Sequence, residues 1–404
     1  MAEMVRLSII NEVKESEVFS ILADETKDVK KKEQMSFVLR YYYRGAVKES
    51  FLHFESTESL DAASLADKII QMLEKYGLEY RENLVGQAYD GASVMSGRNT
   101  GVQARVKEVA KQAFYIHCNA HCLNLVLVDT VKAIPDVECF FSIVQKLYNF
   151  MSGSYVHSKW LAKQTQMYDG AVRELQKLSD TRWACRYQAC KTILERLPAI
   201  IIVLEEISDE KKGDRSVEAK GLLAQFDLTF VALLVTLAKV FGEAKCLSDA
   251  LQAPSLDLGL AVDLVYALVQ TLEQLRTEDS FSVLWRNIIS LAEKCNIQIE
   301  PAPKRKKRLS TKLDGHAVMS HIGCRPEQQQ EGSFRANLFY PIIDHMLAEM
   351  NRRFSNINCQ LMRGIQGLNP SNDLFCDEVV LSPLASIYRC NMDDVKTELH
   401  QLKR

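Results

Sequence analysis

Asp24 follows the apolar run Val18 to Ala23, and Asp90 follows the run Leu84 to Tyr89. Runs of that length and composition are expected to form buried strands that end in turns. If the two strands are neighbours in one sheet, their carboxyl ends bring the two carboxylates together. Paired acids at such a place can hold Mg²⁺ or Mn²⁺ ions. These activate a water or a 3′-hydroxyl and stabilise the leaving oxygen in phosphodiester chemistry. An Asp after a strand also serves as a turn or cap residue, and the pair alone leaves both roles open.

Three further groups can carry chemistry. His117-Cys118-Asn119-Ala120-His121-Cys122 packs soft ligands into a short stretch. Cys118 and His121 could enter a metal site, but structural zinc takes four ligands and no second pair stands out; a structural cluster at a strand-to-helix join is the alternative. Asp180-Thr181-Arg182-Trp183 opens a helix. It reads either as an N-cap with a buried aromatic behind it, or as an arginine reaching a phosphate and braced by the indole. Lys304, Arg305, Lys306, Lys307 and Arg308 form a basic run after two prolines. Such a run suits a nuclear localisation signal, a nucleic-acid contact or a solvated loop. No Gly-rich phosphate loop and no GxSxG elbow is present.

The elements that must position these residues fall into two kinds. Up to residue 135 the order reads β-β-β-α-β-α-β-α. Val18 to Ala23, Gln34 to Tyr43 and Val47 to Phe54 are three strands in series, with Arg44-Gly45 as a turn. Ser59 to Tyr76 is an amphipathic helix with Leu65, Ile69, Met72 and Leu73 on one stripe. Leu84 to Tyr89, the helix Gly101 to Lys111, the strand Ala113 to His117 and a helix from Ala120 complete the series. Three antiparallel strands followed by parallel ones with helical crossovers make a small mixed sheet of ribonuclease-H-like order, not a Rossmann unit. From residue 138 to 300 apolar residues recur at helical spacing, including one long helix over Ser216 to Asp249, and Pro198 is expected to break or kink another. Pro301 to Phe334 reads as a basic and polar linker, Asn337 to Phe354 as a helix, and Asp393 to Leu402 as a short amphipathic helix.

Bulk properties bound the function. The chain has 404 residues, enough for two or three domains at roughly 150 each. The formal net charge of −2 does not advertise a wholesale grip on nucleic acid, though a local basic patch remains compatible with it. Eleven cysteines, an odd count at low density, suit a reducing compartment. The N-terminus lacks a signal-peptide pattern, and no apolar run reaches membrane-span length.

Together, the stretches ILADETKDVKKKEQMSFVLRYY, GQAYDGASVMSG, HCNAHCLNLVL, LSDTRWACRYQA and ANLFYPIIDHMLAEMNRRF resemble the hAT (hobo–Activator) superfamily of transposases. The chain is more closely similar to animal proteins derived from them, the MYM-type zinc-finger-like and general-transcription-factor-like groups. The stretches keep the family's order over residues 21 to 354. The resemblance implies an α/β fold in which a ribonuclease-H-like mixed sheet is interrupted by a large all-α insertion. It implies that Asp24 and Asp90 match the first two metal ligands of an Asp, Asp, Glu set. Cys118 and His121 match the family's CxxH motif. Arg182 and Trp183 match its RW motif, associated with DNA hairpin handling.

The departures shape the functional expectation. The family's C-terminal motif with the catalytic Glu and its dimerisation region is not found, nor is a BED-type zinc finger ahead of Val18. The expected organisation is the N-terminal part of the core over 1–135, the helical insertion over 136–300, the linker over 301–334 and a C-terminal helical segment over 335–404. The expected function is a C-terminally truncated, transposase-derived protein without catalysis, with vestigial metal ligands and a DNA or protein partner. It is expected in the nucleus, otherwise the cytoplasm, and not at a membrane. The alternative is an active metal-dependent DNA nuclease or strand-transferase that uses Mg²⁺ or Mn²⁺ at Asp24 and Asp90. It needs a substitute third acid, for which Glu205, Glu206 and Asp344 are the candidates.

Overall fold

The computed structural model describes residues 1–27, 32–179, 183–210, 213–253, 258–299, 326–354, 356–370 and 372–402. They divide into two compact units, one of residues 1–123, 257–262 and 354–404, the other of residues 124–256 and 263–353.

The first unit is built on a five-stranded mixed sheet. Its strands are β1 (Phe19–Lys27), β2 (Glu33–Tyr43), β3 (Ala46–Ser56), β4 (Leu84–Tyr89) and β5 (Phe114–His117). They lie in the order β3-β2-β1-β4-β5. β1 and β2 are antiparallel, as are β2 and β3, whereas β4 runs parallel to both β1 and β5. Alternation in β2 explains why the sheet has an inner face: Met35, Phe37, Leu39 and Tyr41 are buried while the residues between them are not. Helix Ala62–Lys75 supplies Leu65, Ile69, Met72 and Leu73 to the same core, and helix Val102–Val109 supplies Val102 and Val106. Arg44 and Gly45 both take positive φ, 50° and 83°, the backbone a two-residue hairpin needs for its twist to match the strands.

β1 does not stop where its apolar run stops. It continues through Asp24 to Lys27, because these polar residues pair antiparallel with Ser36 to Glu33 of β2. A helix unrecognised in the sequence, Ala2–Ser16, packs its Ile10 and Val13 into the core. Its Glu12 accepts hydrogen bonds from Tyr41 Oη and Lys48 Nζ, each 2.8 Å, and these hold its carboxyl below the usual range. The C-terminal part, expected to be helical, forms helices Asn356–Gln366, Glu378–Ile387 and Met392–Leu402, the last matching the helix expected over Asp393 to Leu402. Cys376, Leu381 and Leu399 bury together there.

Among the described residues, the regular elements of the second unit are all helices. Pro135–Met151, Ser154–Met167, Trp183–Ser208, Asp214–Leu223, Leu228–Leu251, Glu278–Lys294 and Tyr340–Arg353 lie in it. The single long helix expected over Ser216 to Asp249 is two helices. Asp227 caps the second by accepting from Phe230 N at 2.9 Å. Of the break or kink expected at Pro198, the break does not occur, and the helix runs on to Ser208. Leu197, Ala199, Ile200, Val203 and Leu204 are fully buried on either side of it, and that burial outweighs the one hydrogen bond the proline forgoes. A helix begins at Pro326, inside the stretch read as a linker, and passes through a π-helical turn, Arg335–Phe339, into Tyr340–Arg353. Residues 300–325 of that stretch lie outside the described residues. No single helix among the described residues is long and apolar enough to cross a membrane.

Candidate functional site

The parallel ladder between β1 and β4 pairs Ile21 with Gln87 and Leu22 with Ala88. Asp24 and Asp90 lie two residues beyond the last pair on each strand, so the two carboxylates start from equivalent positions on neighbouring strands. Parallel register places them there with no side-chain device. Asp24 is held inside β1 opposite Ser36 of β2, whose Oγ donates to the Asp24 carbonyl oxygen at 3.1 Å. Asp90 follows the end of β4, and its Oδ1 accepts from Ala92 N at 3.2 Å, turning the chain into the short helix Ser93–Ser96.

Packing beneath this turn fixes its position. Tyr115 on β5 donates its hydroxyl to the Asp90 carbonyl oxygen at 3.3 Å and stacks on the fully buried Tyr89, ring centroids 6.0 Å apart. Burial pushes the Tyr115 phenol well above its ordinary pKa, so it stays a donor. Buried Gln87, the fourth residue of β4, donates to the carbonyl oxygens of Gln103 and Ala113, both at 3.1 Å. It ties β4 to the following helix and to β5.

Glu25 shapes the electrostatics. Partial burial raises its carboxyl pKa, and the negative charges of Asp90, Glu33 and Asp24 raise it further. Four acids therefore share one end of the sheet. Among the described residues, no group of three or more His, Cys, Asp or Glu side chains is placed to hold a metal ion. Glu25 was missed in the sequence because it reads as part of a solvated turn; Gln87 was missed because only the fold shows which carbonyls it meets.

The CxxH pair lies where β5 meets helix Asn119–Lys132. Cys118 is exposed, its backbone N donating to the Tyr89 carbonyl oxygen at 3.1 Å, and His121 is half-buried with its ring 5.7 Å from that of His117. The Cys118 backbone thus reinforces the β4–β5 end of the sheet, and the pair belongs to no described metal group.

The remaining candidates are placed as follows. Arg182 and the basic run Lys304, Arg305, Lys306, Lys307 and Arg308 lie outside the described residues. Trp183 opens its helix with its backbone N donating to Asn124 Oδ1 at 2.9 Å. Its indole is buried, edge-on to Phe241 at 6.1 Å and beside Tyr187 at 6.2 Å. Trp183 is thus a core side chain, in keeping with the reading of a helix start with a buried aromatic behind it. The acids offered as substitutes belong to the helical unit. Glu206 pairs with Lys163 at 2.6 Å, Asp344 accepts from Arg276 at 2.5 and 3.0 Å, and Glu205 is exposed on the helix Trp183–Ser208.

Residues 1–101 match the family model described as DUF4371, the ZMYM1/FAM200 RNase-like domain. That segment contains both Asp24 and Asp90. The chain is also similar to the human "52 kDa repressor of the inhibitor of the protein kinase", with 25% identity over 382 residues, 89% of this chain and 47% of that protein. The mouse protein of the same name is 23% identical over 373 residues, with the same two coverages of 89% and 47%. The chain spans about half the length of the curated relatives it matches.

Proposed function

We propose that this chain is a transposase-derived regulatory protein of hAT type, whose mixed sheet is a ribonuclease-H-like core and whose role is to bind a partner rather than to cut DNA. One observation carries the reading. Asp24 and Asp90 stand at equivalent positions on the adjacent parallel strands β1 and β4, in a sheet of order β3-β2-β1-β4-β5. The match of residues 1–101 to an RNase-like domain supports it, and so does the similarity to proteins named as repressors.

The donor set fits a hard divalent cation: two carboxylates, with Glu25 crowded by further negative charge that a cation would offset. Asp24 and Asp90 would hold Mg²⁺ or Mn²⁺, and the ion would supply Lewis-acid activation of a water or hydroxyl. Around it, Asp90 is oriented by Ala92 N and by the Tyr115 hydroxyl, and Asp24 by its place in the β1–β2 ladder. Two-metal chemistry asks for a third acid. Of the three candidates for it, Glu206 and Asp344 are committed to Lys163 and Arg276, and Glu205, exposed on its helix, belongs to no described metal group. That favours binding over cleavage. The basic run at Lys304 to Arg308 is the proposed nuclear address and, in addition to Arg182, a proposed nucleic-acid contact.

The deciding experiment is Mn²⁺-dependent cleavage of a DNA duplex by the purified chain, beside Asp90→Ala. No cleavage by either folded protein is the expected result. Cleavage by the wild type that disappears in Asp90→Ala overturns the binding role and establishes a metal-dependent nuclease.

A further inference from the structure

Helix Ala2–Ser16 is held to the sheet at two places that differ in chemistry. Its C-terminal half is fixed by Ile10 and Val13, buried in the core, and by Glu12, which accepts from Tyr41 Oη and Lys48 Nζ. Its N-terminal half carries the exposed Met4, Val5 and Leu7 and a polar tether: Arg6 Nε donates to the Leu52 carbonyl oxygen at 3.3 Å. Leu52 lies at a bulge. The β2–β3 pairing steps from Val38 with Phe51 to Phe37 with His53, so Leu52 is the extra residue, and it is buried. The next residue, His53, packs inward too, its ring 5.3 Å from that of buried Phe37 and 5.8 Å from that of Tyr76.

The surroundings of His53 disfavour a proton on it. Its Nδ1 is buried and, like Tyr76 Oη beside it, meets no hydrogen-bond partner among the described residues. Glu55 of the same strand lies 3.4 Å from Nε2 and favours the imidazolium. Against it stand burial, the Arg6 guanidinium of helix Ala2–Ser16 and the Lys75 ammonium of helix Ala62–Lys75, which lies 5.7 Å over the Tyr76 ring; β2 presents the apolar Phe37. Burial is the largest of these, and the imidazole is held below its ordinary 6.5. A proton on His53 thus sets a second cation beside the arginine that tethers the helix. Once the N-terminal turns move away, water solvates both cations. The released form therefore takes the proton more readily, and by linkage acid favours release. We propose that His53 is a proton-sensitive latch: acidification frees residues 2–9 of helix Ala2–Ser16 from the bulge at Leu52, while Ile10, Glu12 and Val13 keep the rest docked. Glu12 holds through that change, because its carboxyl lies below the usual carboxylate range and stays ionised.

The test follows amide hydrogen exchange of the full chain, corrected for its intrinsic pH dependence, as pH falls from about 8 to about 5. Corrected exchange of residues 2–9 should rise by up to about tenfold per pH unit below 6.5, with residues 34–43 and 62–75 unchanged. His53→Gln should remove the step, since an amide takes no proton. Arg6→Met keeps the stem but loses the tether and the charge. It should expose the N-terminal turns already at neutral pH and shrink the step. On the wild type, the His53 ring protons followed by NMR should titrate below 6.5. A wild type without a step overturns the proposal, as does a step that survives His53→Gln. A step shared equally by residues 62–75 is global acid unfolding and overturns it as well. If His53→Gln does not fold, a step unchanged in Arg6→Met, or a wild-type His53 that titrates at or above 6.5, does the same.

Discussion

A Cβ added to Gly91 would lie 2.2 Å from Cε1 and 2.4 Å from Nε2 of His117, too close for either ring atom to stay in place. The two residues close the end of the sheet where β4 and β5 pair Tyr89 with His117, directly behind Asp90. Only a residue without a Cβ lets the turn after Asp90 approach so closely. Gly91→Ala is expected to destabilise the chain by about 1–3 kcal/mol, the usual cost of forcing an extra methyl into a packed place. Gly221, within helix Asp214–Leu223, has nothing within 4 Å of a built Cβ. Gly221→Ala should therefore stabilise by about 0.5–1 kcal/mol through helix propensity. Urea midpoints at unchanged m-value measure both, and opposite signs are the expected result.

Gln164 acts as a substitute strand for the irregular segment that leads to Trp183. Its amide donates to the Arg173 carbonyl oxygen and accepts from Arg173 N, both at 2.9 Å, and it also accepts from Arg196 Nε at 3.2 Å. Gln164→Leu keeps the bulk but strands these groups, at a cost of about 1–3 kcal/mol. Trypsin should then cut sooner at Arg173. An unchanged cleavage rate at that bond would show that the clamp does not hold the segment.

Trp183 offers a direct separation of packing from nucleic-acid contact. Buried against Tyr187 and Phe241, it should cost about 3–5 kcal/mol as Trp183→Ala. Trp183→Phe should cost much less and leave any DNA affinity of the chain unchanged. A Trp183→Phe protein that is fully stable yet loses DNA binding would place the indole at the interface instead.

Glu25 makes stability depend on pH. Its pKa is raised above the ordinary 4.5, first by burial and then by Asp90, Glu33 and Asp24. Below 4.5 the carboxyl is protonated in both states and costs nothing. As pH rises through the raised folded value, ionisation is harder in the fold than in the unfolded chain, so stability falls. Glu25→Gln should therefore be more stable than wild type at neutral pH, with the gap closing as the solution is acidified toward that ordinary value. Thermal melts across that window measure it. A gap that is constant with pH would show that charge is not the cause.

Local pattern in the sequence determined a good part of this. The alternation of Met35, Phe37, Leu39 and Tyr41 marks a strand with one buried face. The stripe of Leu65, Ile69 and Met72 marks a helix, and the acid after the run Leu84 to Tyr89 marks a strand end. These patterns are legible because burial writes a period of two or of 3.6 into neighbouring residues. What tertiary structure alone decided is non-local. Asp24 and Asp90, far apart in the chain, take equivalent positions only because β4 adds parallel to β1. Glu25 feels the charge of Asp90 only across that junction. The same holds for Trp183, whose type and helix-opening position suit surface and core equally. Its burial follows from the arrival of Phe241 from another helix. Phe51 and Phe54 likewise look like core residues in sequence, and they are left exposed because the described helices around the sheet fill its other face.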